Sequence, residues 1–150
     1  KIEDGEVDVV TIAGMGGDLI SEIISKADWL KRCKTKLVLQ PMSSSDSLRE
    51  CLNKGGFSVH SEKAVVDSGR IYSVIVAEYT DKIADFNPTK KYIGELDKDY
   101  SDAATMYIEQ QLSRISECVK NIKGVERRRD LYIEMCEAEK GIKEILKKRR

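Results

Sequence analysis

The chain has 150 residues, with 26 lysines and arginines against 26 aspartates and glutamates, so its formal net charge is zero. Charged residues make up 35% of the sequence, above the ~25% of a typical globular protein. No run of about 18 apolar residues is present, which excludes a transmembrane segment. The 41% of hydrophobic residues is too high for a wholly disordered chain.

The charge is distributed unevenly along the sequence. Residues 1–89 carry 11 basic and 14 acidic side chains, a net charge of −3, and hold most of the β-forming aliphatic residues. Residues 90–150 carry 15 basic and 12 acidic side chains, a net charge of +3. We therefore predict two substructures, residues 1–89 and residues 90–150.

Cysteine and histidine limit the possible chemistry. The four cysteines, Cys33, Cys51, Cys118 and Cys136, are too far apart in sequence for a CxxC zinc or redox motif. His60 is the single histidine, which is too little for a histidine zinc site or a Ser–His–Asp triad. We expect free thiols in a reducing cytoplasm, and neither metal binding nor membrane association.

The first predicted elements are a strand and a helix. Val7–Ile12 is rich in β-branched residues and almost continuously apolar, which predicts a strand covered on both faces. Ala13–Gly17 follows as a tight turn, and Asp18 is placed to cap a helix over Leu19–Lys26. The predicted inner face of this helix consists of Leu19, Ile20, Ile23 and Ile24.

A second strand and helix come next. The strand is predicted over Lys36–Gln40 and is stopped by Pro41. The run Ser43–Asp46 predicts the cap of a helix over Ser47–Lys54, which Gly55-Gly56 ends.

Two longer strand patterns follow, Phe57–Val66 and Arg70–Tyr79, joined by the turn sequence Asp67–Gly69. A short turn between two strands indicates an antiparallel pair. The order strand–helix–strand–helix–strand–strand predicts an α/β fold in which right-handed crossovers make the first strands parallel.

The last part of the chain contains two helical patterns. After an irregular connector over residues 80–100, apolar residues recur at steps of 4 and 3 over residues 102–123 and again over 125–148, on either side of Gly124. These matching periods predict an antiparallel hairpin packed as a coiled coil. Basic residues group at both ends of the hairpin, and they are either simply solvated or contact RNA phosphates. They are Arg127, Arg128 and Arg129 near the tip, and Lys147, Lys148, Arg149 and Arg150 at the other end.

Two segments follow predicted parallel strands, where ligands of open α/β sheets bind. Gly14-Met15-Gly16-Gly17 follows the first strand, and Gln40-Pro41-Met42 follows the second. Glycines let backbone approach a ligand closely, although a plain strand-to-helix turn fits the same spacing. The second strand ends in Gln40 where a nucleotide-binding unit has an acidic residue, so we expect further sequence before Lys1.

Four segments carry a family resemblance: Glu6–Gly17, Leu37–Pro41, Leu48-Arg49 and Gly69–Tyr72. They resemble the bacterial tRNA (adenine-22-N1)-methyltransferases, S-adenosylmethionine-dependent enzymes with a Rossmann-like domain and a C-terminal coiled-coil hairpin. The resemblance runs in order through all 150 residues. The sequence departs from the family at Glu95, where a proline usually follows the glycine, and it has no counterpart of the family's Asp-Ile-Gly-type cofactor loop.

The resemblance implies a partial Rossmann-like methyltransferase sheet, made of the family's last four strands in the order 4-5-7-6 with the seventh antiparallel. It implies S-adenosylmethionine as the cofactor and tRNA as the partner, methylated at adenine N1. It places the cofactor beside Ala13, Gly14, Met15, Gly16 and Gly17. It makes Gln40 and Pro41 the candidate catalytic residues, and Arg127, Arg128, Arg129, Lys147 and Lys148 the candidate RNA-binding residues.

Two alternatives remain open at this point. Met15 either packs against the base or cofactor or fills the core. The chain is either part of a methyltransferase or a catalytically incomplete fragment that acts as an RNA-binding or coiled-coil interaction module. In the second case the strand at Val7–Ile12 would be an unpaired apolar edge.

Overall fold

A computed structural model describes residues 5–149. The four strands are β1 (Val9–Met15), β2 (Lys36–Pro41), β3 (Phe57–Asp67) and β4 (Arg70–Tyr79). The helices are α1 (Gly17–Lys26), α2 (Trp29–Arg32), α3 (Ser45–Lys54), α4 (Pro88–Ile93), α5 (Asp102–Ile122) and α6 (Arg129–Arg149).

The strands form one mixed sheet in the order β1-β2-β4-β3. β1 and β2 are parallel, and β4 is antiparallel to both of its neighbours. The order that the family resemblance implied is thereby confirmed. Because β1 and β2 are parallel, their carboxyl ends meet at one edge of the sheet, and the loops that follow them lie side by side there.

The predicted helix caps are wrong in detail. α1 begins at Gly17 with Gly16 as its N-cap, so Asp18 lies in the first turn and does not cap the helix. α3 begins at Ser45, two residues earlier than predicted, and its N-cap Ser44 makes no side-chain hydrogen bond. In both loops the backbone around the helix start is fixed by contacts between the loops, described below, so a side-chain cap is not what sets the start.

The prediction that the first strand is covered on both faces is wrong. β1 is an edge strand, and Ile12 is the one buried hydrophobic residue on it, whereas Val9 is 50% exposed. Ile20 and Ile24 of α1 are buried, but Leu19 and Ile23 are exposed although they were predicted on its inner face. α1 packs mainly against α3 and less against β1 and β2, which leaves Leu19 and Ile23 on a side of the helix that no other described element covers. Within residues 5–149 the outer edge of β1 pairs with no other strand.

Two apolar clusters hold the fold together. The first joins the sheet to α1 and α3, and its fully buried members include Leu37, Leu39, Leu48 and Ile75. The second joins α4, α5 and α6 to the β3–β4 pair, with Ala64 and Ile71 of the strands packed against it. Burying one such aliphatic side chain is worth about 1.5–3 kcal/mol, so both clusters contribute strongly to stability.

The connector is more ordered than predicted. It contains α4 and a 3-10 turn over Leu96–Lys98. Asn87 is the N-cap of α4, its side chain accepts a hydrogen bond from the Lys90 amide at 3.0 Å, and Pro88 occupies the first helical turn. Asn-Pro at this position is therefore a helix start, a role that proline performs well because its missing N–H is not needed there.

α5 and α6 run antiparallel. Ser116 in the middle of α5 donates a hydrogen bond to Glu139 in the middle of α6, and Arg149 at the end of α6 donates to Thr105 near the start of α5 at 3.1 Å. Ile108, Ile115, Ala138 and Ile142 are buried in the second cluster. None of the helices within residues 5–149 combines the length and apolarity that crossing a membrane requires.

Candidate active site

The loops that follow β1 and β2 are joined at the carboxyl edge of the sheet. The strand register pairs Ala13 with Gln40 and then Met15 with Pro41, so Gly14 is the extra residue of a bulge. Gly14 has a φ of +75°, a left-handed conformation that favours glycine. Its amide donates a hydrogen bond to Oε1 of Gln40 at 2.9 Å, so the structure brings together two residues that the sequence singled out separately.

Two further hydrogen bonds lock the loops. The amide of Met42 donates to the carbonyl of Met15, and the amide of Gly17 donates to the carbonyl of Ser43, both at 2.8 Å. A Cβ added at Gly17 would lie 2.2 Å from the carbonyl oxygen of Ser44. Since that position is closer than any real contact, only glycine lets the start of α1 approach the second loop.

Gln40 retains hydrogen-bonding capacity beyond these contacts. Its Nε2 donates to the sulfur of Met42 at 3.3 Å, a weak acceptor. One lone pair on Oε1 and one N–H remain for a ligand, since a primary amide has two of each. The loop contacts therefore hold the amide at the sheet edge without using all of it.

The predicted site residues differ in exposure. Ala13, Gly14 and Met15 are exposed, whereas Gly17 and Pro41 are buried in the packing between the loops. Met15 is 39% exposed, so in the part of the chain that the structure describes it lies at the surface and does not fill the core. The surface open to a ligand is thus formed by Ala13, Gly14, Met15 and the amide of Gln40.

Arg49 has a structural position that the sequence did not predict. Its guanidinium lies between α3 and β3, where Nη2 is 2.6 Å from Oε1 of Glu62 and 3.0 Å from the hydroxyl of Tyr107, and Nη1 donates to the carbonyl of Tyr92 at 2.9 Å. A Cβ at Gly94 would lie 1.8 Å from Oε2 of Glu62, so this turn has room only for glycine. The sequence signals were the position of Arg49 after the apolar Leu48 and its place in the Leu48-Arg49 segment of the family resemblance.

The electrostatics of this cluster favour the charged form of the arginine. Burial alone would lower the pKa of Arg49, but the ion pair with Glu62 and the contact with Tyr107 hold the pKa above its ordinary value. Arg49 is therefore a permanent buried cation, and its partners link α3 and β3 to α4 and α5.

The candidate RNA-binding residues form two separate groups. Arg127, Arg128 and Arg129 are exposed at the turn between α5 and α6, and Lys147 and Lys148 are exposed in the last turn of α6. At 1.5 Å per residue, about 27 Å of helix separates the two groups, so the structure does not bring them together. Arg149 is engaged, since it donates to the carbonyls of Leu96 and Asp99, and Arg150 lies outside the described residues.

Metal-ligating side chains do not cluster in the described part of the chain. No group of three or more His, Cys, Asp or Glu side chains with the spacing of a metal site occurs within residues 5–149. The groups that this edge presents include backbone N–H and C=O groups, the amide of Gln40 and the exposed thioethers of Met15 and Met42.

Comparison with known proteins gives consistent matches. A family model described as tRNA (adenine(22)-N(1))-methyltransferase matches residues 1–147. A curated Bacillus subtilis protein named tRNA (adenine(22)-N(1))-methyltransferase is 37% identical over 86 residues, which cover 57% of this chain and 36% of that protein.

Solved structures of similar proteins also align with this chain. The crystal structure of the B. subtilis M1A22 tRNA methyltransferase TrmK aligns with a TM-score of 0.78 and 27% identity, covering 97% of this chain and 65% of that one. Streptococcus pneumoniae Sp1610 in complex with S-adenosyl-L-methionine aligns with a TM-score of 0.73 and 25% identity, covering 97% and 63%. The four-stranded sheet is thus part of a Rossmann-like methyltransferase fold. The chain spans about a third of the curated relative and less than two thirds of these solved proteins.

Proposed function

This chain belongs to the tRNA (adenine(22)-N(1))-methyltransferase family, and from that premise we propose that it serves the transfer of a methyl group from S-adenosylmethionine to N1 of adenine 22 in a tRNA. The observation that carries the proposal is the family match over residues 1–147, which includes the joined loops at the carboxyl edge. The S-adenosyl-L-methionine complex of the similar S. pneumoniae protein supports the choice of cofactor.

The first loop fits one wall of a site for the methyl donor. Among residues 5–149, apart from its two chain neighbours, no atom lies within 4 Å of a Cβ built at Gly14, and Ala13 and Met15 are exposed beside it. Ala13, Gly14, Met15 and Gly16 would hold the donor, and Gly17 would keep the loop in place. The donor supplies a methyl group activated on a sulfonium.

The nucleophile needs little activation from the protein. N1 of adenine carries a neutral lone pair at pH 7, so no side chain has to remove a proton before it attacks. Gln40 accepts from Gly14 with one lone pair of Oε1, and the other lone pair can accept from the adenine amino group, which orients N1. Pro41 is buried and fixes the end of β2, so its contribution is to position Gln40. The target base has to leave its stack to reach this edge.

The hairpin supplies the second part of the proposal. In this proposal α5 and α6 pack as a coiled coil. Residues 90–150 form a tRNA-binding unit, and residues 1–89 form the catalytic unit beside it. The protein works in the cytoplasm. Arg127, Arg128 and Arg129 at one end and Lys147 and Lys148 at the other contact tRNA phosphates. Their exposure and the net charge of +3 over residues 90–150 support this assignment.

Two measurements test the proposal on the whole chain. Titration calorimetry with S-adenosylmethionine measures binding of the donor, and incubation with methyl-labelled donor and tRNA transcripts measures transfer. We expect label in a transcript with adenine at position 22 and none when guanine replaces it. Binding of tRNA without donor binding or label would overturn the methyl-transfer proposal and leave an RNA-binding module.

A further inference from the structure

A polar cleft of about 80 Å³ lies between the loop after β2 and the side of α5. It lies directly beyond Pro41, next to the candidate active site. Its polar lining includes Ser44, Asp46, Tyr72, Gln110, Gln111 and Arg114. The volume corresponds to between two and three water molecules, which suits a single phosphate or sugar group better than a base.

Two side chains of α5 present unused donors to this cleft. Arg114 is exposed, and the one contact of its guanidinium within residues 5–149 is Nη1 donating to Oε1 of Gln111 at 3.3 Å. Gln111 is only 7% exposed, yet its side-chain nitrogen has no hydrogen-bond partner in the described part of the chain. Because this nitrogen is not sealed from solvent, it and the free N–H groups of Arg114 can donate to a ligand in the cleft.

The opposite wall supplies complementary groups. The first turn of α3 begins at Ser45, with the hydroxyls of Ser43 and Ser44 beside it. The carboxylate of Asp46 also lines the cleft, so a free anion would be partly repelled. A cation and donors on one side and an acceptor on the other fit one phosphate that faces Arg114, with the adjoining ribose at the mouth of the cleft donating a hydroxyl to Asp46.

The position of the cleft matches a path for RNA. Arg114 lies on α5 between the sheet edge and the basic turn at Arg127, about 20 Å of helix from that turn. A strand whose target base enters beside Gln40 would pass this cleft before it reaches the turn. Arg114 can therefore hold the backbone while the base is turned out of its stack.

We propose that Arg114, assisted by Gln110 and Gln111, binds the ribose–phosphate backbone of the tRNA directly beside the target nucleotide. The inference rests on the proposed function, because it names a contact of the same substrate. Arg114 is a positioning residue, since it binds the backbone and does not touch the reacting atoms.

The test compares Arg114→Gln with Lys36→Gln in the whole chain. Both substitutions remove one exposed positive charge, but Lys36 lies at the start of β2, at the opposite edge of the sheet. Binding of a tRNA transcript is measured by fluorescence anisotropy across a range of salt concentrations. We expect Arg114→Gln to weaken tRNA binding about fivefold. It should also reduce the slope of log K against log salt by about 0.9, the value for one lost phosphate contact. The affinity and slope of Lys36→Gln should be unchanged.

Results other than those expected count against the contact of Arg114 with the tRNA backbone. Unchanged affinity and slope in Arg114→Gln, or an equal loss in Lys36→Gln, would overturn it while leaving tRNA binding intact. No binding of tRNA by the unsubstituted chain would overturn the proposed function together with this inference. Arg114→Lys keeps the positive charge but lacks the planar guanidinium, so it should retain most of the salt slope and lose part of the affinity. An affinity as low as that of Arg114→Gln would contradict a charge contact.

Discussion

Arg49 and Glu62 form an ion pair that is almost completely shielded from solvent. Nη2 of the arginine lies 2.6 Å from Oε1 of the glutamate, and the two side chains are 2% and 0% exposed. The same guanidinium donates to the carbonyl of Tyr92 and to the hydroxyl of Tyr107. One cation therefore joins α3, which follows the second loop of the candidate active site, and the far edge strand β3 to α4 and to α5 of the hairpin.

Replacing Glu62 by glutamine should destabilise the protein strongly. The substitution leaves the charge of Arg49 buried without a counter-ion, and removing one partner of a buried pair costs about 3–5 kcal/mol. Urea unfolding followed by circular dichroism measures the free energy of unfolding. Glu22→Gln is the matched control because Glu22 pairs with Lys26 on the surface of α1, and we expect a change below about 0.5 kcal/mol there. Equal effects of the two variants would show that the buried pair contributes no more than a surface pair.

Gly17→Ala should disturb the contact between the two loops. The new Cβ would lie 2.2 Å from the backbone of Ser44, and backbone cannot move aside as a flexible side chain can. We expect a loss of about 1–3 kcal/mol, the usual cost of overpacking, together with weaker binding of the methyl donor. Gly124→Ala isolates the other cost of replacing a glycine, since Gly124 has a φ of +79° and open space around its Cβ among the described residues, whereas Gly17 lies in α1 without a positive φ. Unchanged stability and donor binding of Gly17→Ala would contradict crowding at this contact.

Substitutions at Gln40 test its two acceptor roles, toward the Gly14 amide and toward the adenine. The carboxylate of Gln40→Glu can still accept from both, whereas Gln40→Ala removes the acceptor. We expect the thermal midpoint and methyl incorporation into tRNA to fall in Gln40→Ala and to be retained better in Gln40→Glu. Full incorporation by Gln40→Ala would exclude a role of this side chain in the reaction.

The salt bridges of Glu50 predict an acid-dependent loss of stability. Hydrogen bonds from Lys54 and then Lys91 lower the pKa of Glu50 below its ordinary 4.5. Because the pKa of Glu50 is lower in the folded chain, the unfolded chain binds more protons between the folded and unfolded pKa values. The salt bridges therefore stabilise the fold fully above pH 4.5, and this stabilisation is lost as the pH falls through the pKa of the folded chain. Urea unfolding of the protein and of Glu50→Gln from pH 7 to pH 3 should show a stability difference that shrinks below pH 4.5. A constant difference over this range would contradict the assignment.

The basic turn of the hairpin should determine part of the salt dependence of tRNA binding. Replacing Arg127, Arg128 and Arg129 together by glutamine removes three exposed charges, and each lost phosphate contact should reduce the salt slope by about 0.9. Filter binding at several salt concentrations measures the slope. An unchanged slope would mean that these arginines are only solvated, the alternative that the sequence left open.

Local sequence patterns predicted the strands and long helices well, because hydrophobic periodicity is a local property. The sheet order came from the family resemblance, since no local signal states that β4 lies between β2 and β3. α4 was missed because Asn87-Pro88 suits a turn as well as a helix start. The edge exposure of β1 depends on what packs against the strand, which its own apolar residues do not encode.

The candidate site was only partly predictable because its contacts join residues that are far apart in the sequence. Gly14 and Gln40 were found because glycines and strand ends are visible in sequence, but the bond between them joins residues 26 positions apart. The partners of Arg49 are more distant, since Tyr107 lies 58 residues away. In the sequence, Arg114 is one of many charges in the pattern of an amphipathic helix, and only the fold places it beside the loop after β2.

The three hydrogen bonds between the loops also bear on the entropy of binding. Gly14, Met42 and Gly17 each donate across the gap, so the backbone at the sheet edge is already ordered before any ligand arrives. A ligand that binds a flexible loop has to offset the conformational freedom that the loop loses, whereas one that meets this edge does not. The affinity of the edge for small molecules should therefore reflect its contacts almost directly, with little lost to the ordering of the chain.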